Sequence, residues 1–188
     1  MTPAAVRRWA LPASLLLGAV VSFAFAPFGW FPLAVIAPAL WFLLLRDAAP
    51  AAALRSGLAF GLGMFGVGVN WVYISIHYFG HSPLPAAIGV MLLLVAYLSV
   101  FPALLAYLAA RSRVRGALLY VLLLPAGWAL AEWLRSWLFT GFPWLNLGYT
   151  QIDSPLAGYA PLLGVYGLGW LAALSAGAYA ASPNIEPN

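Results

Sequence analysis

Between Arg55 and Arg111 the sequence carries no Asp, Glu, Lys or Arg. Soluble helices need a polar face, so a run of that length without charge belongs to helices that meet lipid. It is split once, at His77-Tyr78-Phe79-Gly80-His81-Ser82-Pro83-Leu84-Pro85, where two prolines and a glycine make poor helix interior. Two spans are therefore expected, over 56–76 and 86–110. Composition agrees: 65% of the 188 residues are hydrophobic and 6% charged, outside the range of soluble domains. The net charge of +4 then serves as a topology signal and does not imply a nucleic-acid partner.

The rest of the chain divides by the same logic. Arg7-Arg8 before an apolar run resembles a signal peptide, but Pro27-Phe28-Gly29-Trp30 lacks a small-residue cleavage pattern. An uncleaved hairpin of two spans, 11–26 and 31–45, is the better reading, with Trp30 and Phe31 as interfacial anchors. Arg46 to Arg55 reads as a polar loop, Arg111 to Arg115 as a basic one, and further spans are expected over 116–138 and 161–181. Gly141, Pro143, Gly148, Pro155 and Gly158 interrupt 139–160, which is too apolar for an ordinary connection and is expected to fold onto the bundle as an arm. The expected fold is an all-α membrane protein, a polytopic bundle of about six transmembrane helices with a periplasmic arm between helices five and six and a polar tail at 182–188. Seven arginines fall on one side of this arrangement and Arg135 alone on the other. By the positive-inside rule both termini are cytoplasmic, and the 77–85 loop and the arm periplasmic.

Polar residues in so apolar a chain are few enough to weigh singly. Asn70, at bilayer depth in the 56–76 span, is expected to face the bundle interior, since its amide needs partners. Gly57, Gly61 and Gly68 lie near one face of that span and suit close helix packing. Glu132 and Arg135 are three apart on one helix face near the far interface, about 25 Å from Arg115 at helical rise, and able to pair. That pair either fixes helix depth or organises a cleft.

Catalytic constellations are not evident. His77 and His81 lie four apart, but Gly80 and Pro83 break the helix that would present both to a metal. A His-x4-Asp motif is absent, because Ser82 stands five after His77. Ser75, His77 and Asp153 are too scattered for a triad to be inferred, no glycine-rich phosphate loop is present, and Asp47 lies beside Arg46 on the other side. No catalytic residue, metal ligand or cofactor-binding residue is expected in this chain.

A resemblance rests on other residues. Ala26-Pro27-Phe28, Trp30-Phe31-Pro32, Asn70-Trp71-Val72-Tyr73-Ile74-Ser75-Ile76, Glu132-Trp133-Leu134-Arg135, Thr140-Gly141-Phe142-Pro143-Trp144, Gly148-Tyr149, Gln151-Ile152-Asp153, Pro155-Leu156, Ala160-Pro161 and Gly164-Val165 stand in one order. In that order they resemble the membrane region of bacterial apolipoprotein N-acyltransferases, over nearly the whole chain to about Ala181.

The resemblance implies a multi-pass protein of the bacterial inner membrane. It also implies membrane phospholipid as acyl donor, diacylated lipoprotein as acceptor, and transfer to the amino group of the lipidated N-terminal cysteine through a thioester on an enzyme cysteine. In the family that cysteine, a glutamate base and a lysine belong to a nitrilase-like periplasmic domain that follows the helices. Here the departure is plain: the chain has no cysteine, and its eight basic residues are all arginine. It is expected to be the membrane portion, roughly the first third of the family's length, inactive by itself and lacking a seventh span, the catalytic domain and a closing span. Asn70, Trp71, Tyr73, Glu132, Arg135, Phe142, Pro143, Trp144, Tyr149 and Gln151 are the residues expected to contact lipid or substrate. Alternatives are a non-catalytic module that binds lipid or a separately encoded nitrilase-like domain, and a small transporter; the latter lacks the paired broken helices and intramembrane charges of that class.

Overall fold

The structure, a computed structural model, describes residues 3–182; beyond Ser182 the expected tail lies outside the described residues. Helices account for every regular element among them, in the order α1 (Pro3–Val21), α2 (Leu33–Leu44), α3 (Pro50–Gly68), α4 (Trp71–Ile74), α5 (Leu84–Arg111), α6 (Leu124–Arg135) and α7 (Ala160–Ala181). Proline near the first turn marks the start of α3, α5 and α7, where a missing N–H costs nothing.

Helix α3 is the axis of the bundle, with α1 on one side and α5 on the other. Two glycine pairs set these approaches. A Cβ on Gly63 would lie 2.0 Å from the Leu15 carbonyl oxygen, and one on Gly18 1.9 Å from that of Phe60. On the other face, a Cβ on Gly57 would meet the Pro102 carbonyl at 2.4 Å, and one on Gly61 the Ser99 Cα at 2.6 Å. Backbones this close gain dispersion contacts that lipid cannot match. Helix α7 closes the bundle against α2, α6 and the arm.

The core is aromatic at its centre. Trp41 stacks on Phe60 at 4.3 Å, and Trp128 presents an edge to Trp41, Phe42 and Phe60. Polar groups in this layer are satisfied by one another: the Ser14 hydroxyl meets that of Ser56 at 2.7 Å, and Trp41 Nε1 donates to Ser56 Oγ.

Several element ends differ from expectation. The helix expected over 56–76 starts at Pro50 and ends at Gly68, so the loop expected over 46–55 is short, and Arg55 lies on α3 donating to the Ala51 carbonyl. After a turn at Val69 and Asn70, α4 runs into a π-helical segment, Ser75–Phe79. The helix expected from 116 begins as another π-helical segment, Leu119–Leu123. Its cause is local: Pro125 has no N–H and its ring crowds the carbonyl four residues before it, so the ladder slips by one residue. Three helical segments, Pro50–Gly68, Leu84–Arg111 and Pro155–Ala181, are long and apolar enough to cross a membrane, with shorter apolar helices at Trp9–Ala24 and Leu33–Leu44.

Candidate functional site

The arm starts where α6 stops. Gly141 adopts φ +80° in a turn so tight that a Cβ would lie 2.0 Å from the Ser136 carbonyl oxygen, and the Phe142 N–H then donates back to the Arg135 carbonyl at 2.8 Å. A left-handed Leu145 (φ +60°) redirects the chain. Two 3-10 helices follow, Leu147–Gln151 and Pro155–Tyr159, the second capped by Ser154, whose Oγ accepts from the Leu156 N–H at 3.1 Å.

Glu132 and Arg135 hold this turn from beneath, with relative exposures of 4% and 3%. Arg135 donates to the carbonyls of Trp144 (2.5 Å) and Leu145 (3.4 Å) and to Asn146 Oδ1 (2.5 Å), and its guanidinium lies 5.0 Å from the centroid of Phe65. Glu132 Oε1 accepts from Trp128 Nε1 (2.9 Å) and from the Leu147 N–H (2.8 Å), so the carboxyl group caps the first 3-10 helix across fifteen residues of sequence. The expected pairing of Glu132 with Arg135 is therefore corrected: neither oxygen of Glu132 accepts from Arg135. Both side chains instead converge on 144–147, because the arm's carbonyls and N–H groups lie over the helix end and must be satisfied there.

Helix α7 seals the other side. A Cβ on Gly169 would lie 2.7 Å from Glu132 Oε2, and one on Gly148 2.0 Å from the Val165 carbonyl oxygen, so two glycines let arm, carboxyl group and helix come together. Glu132 Oε2 and Asn146 Nδ2 are the buried side-chain atoms in the described structure with no hydrogen-bond partner.

Above this base the arm presents aromatic side chains. Phe142 stacks on Trp144 at 5.0 Å, and Trp144 meets Trp71 at 6.0 Å. Trp144 and Tyr149 are about half exposed, at 50% and 48%. Beside them a cavity of about 330 Å³ opens between Leu94 and Tyr97 of α5 and residues 138–142. Tyr97 there donates to the Leu138 carbonyl at 3.2 Å and meets the Phe139 ring edge-on at 5.8 Å.

Of the residues singled out from sequence, Trp71, Phe142, Trp144 and Tyr149 retain exposed surface around the arm, and Pro143 is half-buried between them. Gln151 is buried and donates to Thr150 Oγ1 at 2.6 Å. Tyr73 is half-buried in α4. Asn70 is exposed, contrary to expectation. Because α3 begins at Pro50, Asn70 falls just beyond its far end, where an amide needs no buried partner. Sequence reasoning missed Asn146 and the backbone of Leu147, and it read Gly148 as a break in the arm and not as a contact with α7. Trp128 was within reach, since it stands four residues before Glu132 on the same helix face.

An all-helical membrane domain, with a broken apolar arm fixed by two buried ionisable side chains, is the class these features define. Residues 17–178 match the family described as apolipoprotein N-acyltransferase N-terminal domain. The chain belongs to this family. It is 47% identical to the apolipoprotein N-acyltransferase of Methylococcus capsulatus over 161 residues, covering 85% of this chain and 32% of that protein. For the Coxiella burnetii relative of the same name the identity is 44% over 166 residues, with 87% and 34% covered. For that of Nitrosomonas europaea it is 47% over 168 residues, with 88% and 34% covered. The chain spans about a third of the length of these curated relatives.

Proposed function

We propose that this domain is the membrane portion of an inner-membrane enzyme that moves an acyl chain from phospholipid to the amino terminus of diacylated lipoproteins, and that the arm is its lipid-contact surface. The observation that carries this reading is the way the arm is held. Glu132 and Arg135 grip its backbone from below, which leaves Trp144 and Tyr149 half-exposed, Trp144 between the rings of Phe142 and Trp71. Aromatic side chains in that setting suit the boundary between acyl chains and headgroups. Glu132, Arg135 and Gln151 act as supports, and Asn70, Tyr73 and Pro143 border the surface.

Six spans with both termini cytoplasmic are proposed from α1, α2, α3, α5, the 119–135 segment and α7. Support comes from the bias of the arginines, seven of which fall on one side of such a six-span arrangement and Arg135 alone on the other. The thiol nucleophile and the lysine of the chemistry must come from a nitrilase-like domain, because none of these 188 residues is Cys or Lys.

The test is photolabelling of the full chain, reconstituted in vesicles containing a phospholipid with a photoreactive acyl chain. Labelled peptides are expected to concentrate in 139–160 and 71–79, and Trp144→Ala with Tyr149→Ala to reduce labelling there several-fold. Labelling spread evenly over the exposed faces of α1, α2 and α5 would overturn the assignment. Acyl transfer to a diacylated lipopeptide by this chain alone would overturn the claim that the nucleophile lies elsewhere.

A further inference from the structure

Two buried atoms at the root of the arm are complementary and unpaired. Glu132 Oε2 is an acceptor and Asn146 Nδ2 a donor, and neither has a hydrogen-bond partner. A polar atom left bare in an interior forfeits the hydrogen bonds it made in water, so native interiors satisfy such atoms with protein or with ordered water. We propose that a single ordered water molecule bridges Glu132 Oε2 and Asn146 Nδ2 and is a structural ligand of this domain, at the joint of α6, the arm and α7.

The surrounding bonds fix both side chains. Arg135 Nη2 donates to Asn146 Oδ1 at 2.5 Å, which settles the orientation of the amide, because a flipped one would set its N–H groups against the guanidinium. Glu132 Oε1 is committed in the same way, accepting from Trp128 Nε1 and from the Leu147 N–H. Each group is thus held by one atom and bare at the other. Asn146 and Leu147 are consecutive, so both groups meet the same corner of the arm. Helix α7 supplies no side chain there: the residue against Oε2 is Gly169, where a Cβ would lie 2.7 Å from that oxygen. Charge and size then select the ligand. The Arg135 guanidinium beside Asn146 repels a cation, and the Glu132 carboxyl group repels an anion. What remains is a neutral molecule that accepts from Nδ2 and donates to Oε2. The joint is closed, with Asn146, Leu147, Gly148 and Gly169 all buried, so a hydroxyl that brings a carbon chain does not fit and water does. The site depends on neither lipid contact nor acyl transfer and stands apart from the proposed function.

Magic-angle-spinning NMR of the full chain in phosphatidylcholine vesicles tests it, with asparagine isotope-labelled at the side-chain amide nitrogen. The Asn146 signal is identified by its loss in Asn146→Asp. At short mixing times magnetisation from water is expected to reach the buried Asn146 amide as it reaches the exposed Asn70. Gly169→Ala sets a methyl group against Oε2; the transfer to Asn146 should then be lost while that to Asn70 stays unchanged. If that variant fails to fold, a density map of the unaltered chain at a resolution that shows waters decides, with a peak expected within about 3.2 Å of both atoms. Absence of transfer to Asn146, or a direct Nδ2 to Oε2 bond with no peak between them, would overturn the site. Undiminished transfer in a folded Gly169→Ala variant would overturn the placement of the water beside Oε2.

Discussion

Arg135 spends its donors on two backbone carbonyls and an amide oxygen of the arm, and none on Glu132. A lysine carries one point charge on a flexible stem and cannot cover three acceptors in a fixed fork. Arg135→Lys should therefore destabilise the fold by about 2–3 kcal/mol, the cost of leaving buried acceptors unpaired, measured by thermal or denaturant unfolding in detergent. Removing the other member is expected to cost more. Glu132→Ala frees the Trp128 indole N–H and the Leu147 N–H and leaves Arg135 without its buried counter-charge, which should cost about 3–5 kcal/mol. Glu132→Gln keeps an oxygen for both donors and should cost less than the alanine; an equal loss would mean that charge alone, and not capping of the 3-10 helix, is what Glu132 supplies. The spacing of Glu132 and Arg135 was legible in the sequence as a helix face. Their partners were not, because Asn146 and Leu147 lie eleven and fifteen residues on, across a stretch with no period to follow.

The glycines of α3 sort by face, and so do their predicted effects. Gly63 abuts the α1 backbone, and Gly63→Ala should force the helices apart at a cost of about 1–3 kcal/mol. Gly66 has nothing within 4 Å of a built Cβ, and Gly66→Ala should be neutral or stabilising by up to about 1 kcal/mol through loss of unfolded-state freedom. Equal effects would contradict the packing of α1 on α3. In α7 the reasoning reverses: Gly164 also has open space around it, but its φ of +62° and ψ of −172° suit only glycine, so Gly164→Ala should cost about 1–3 kcal/mol in backbone strain alone. Sequence spacing placed Gly57, Gly61 and Gly68 together, and two of them do meet α5. Gly68 instead receives the Leu145 side chain of the arm, because it ends α3 beside the arm. The approach of α1 to α3 at Gly18 and Gly63 left no local pattern, since one glycine from each helix on that face makes no repeat.

At the scale of the molecule, helix length and charge bear differently on the proposed crossings. Helices α2 and α6 have 12 residues each, about 18 Å of helix against a hydrocarbon core of about 30 Å, which is why length alone does not count the spans and the arginine bias carries the topology. The absence of native cysteine makes the check direct. Single thiols introduced as Phe79→Cys and Ile152→Cys should react with an impermeant maleimide added to the periplasmic side, and Arg113→Cys only after the inner membrane is opened; the reverse would invert the proposed topology. One further consequence follows from α5. Its 28 residues extend about 42 Å, and the first turn of the arm, 138–142, meets it at Leu94 and Tyr97, midway along. That turn is thus set back from the Leu84 end of α5 and not level with it, so under the proposed function the flank of α5 beyond Leu94 borders whatever lipid reaches the turn.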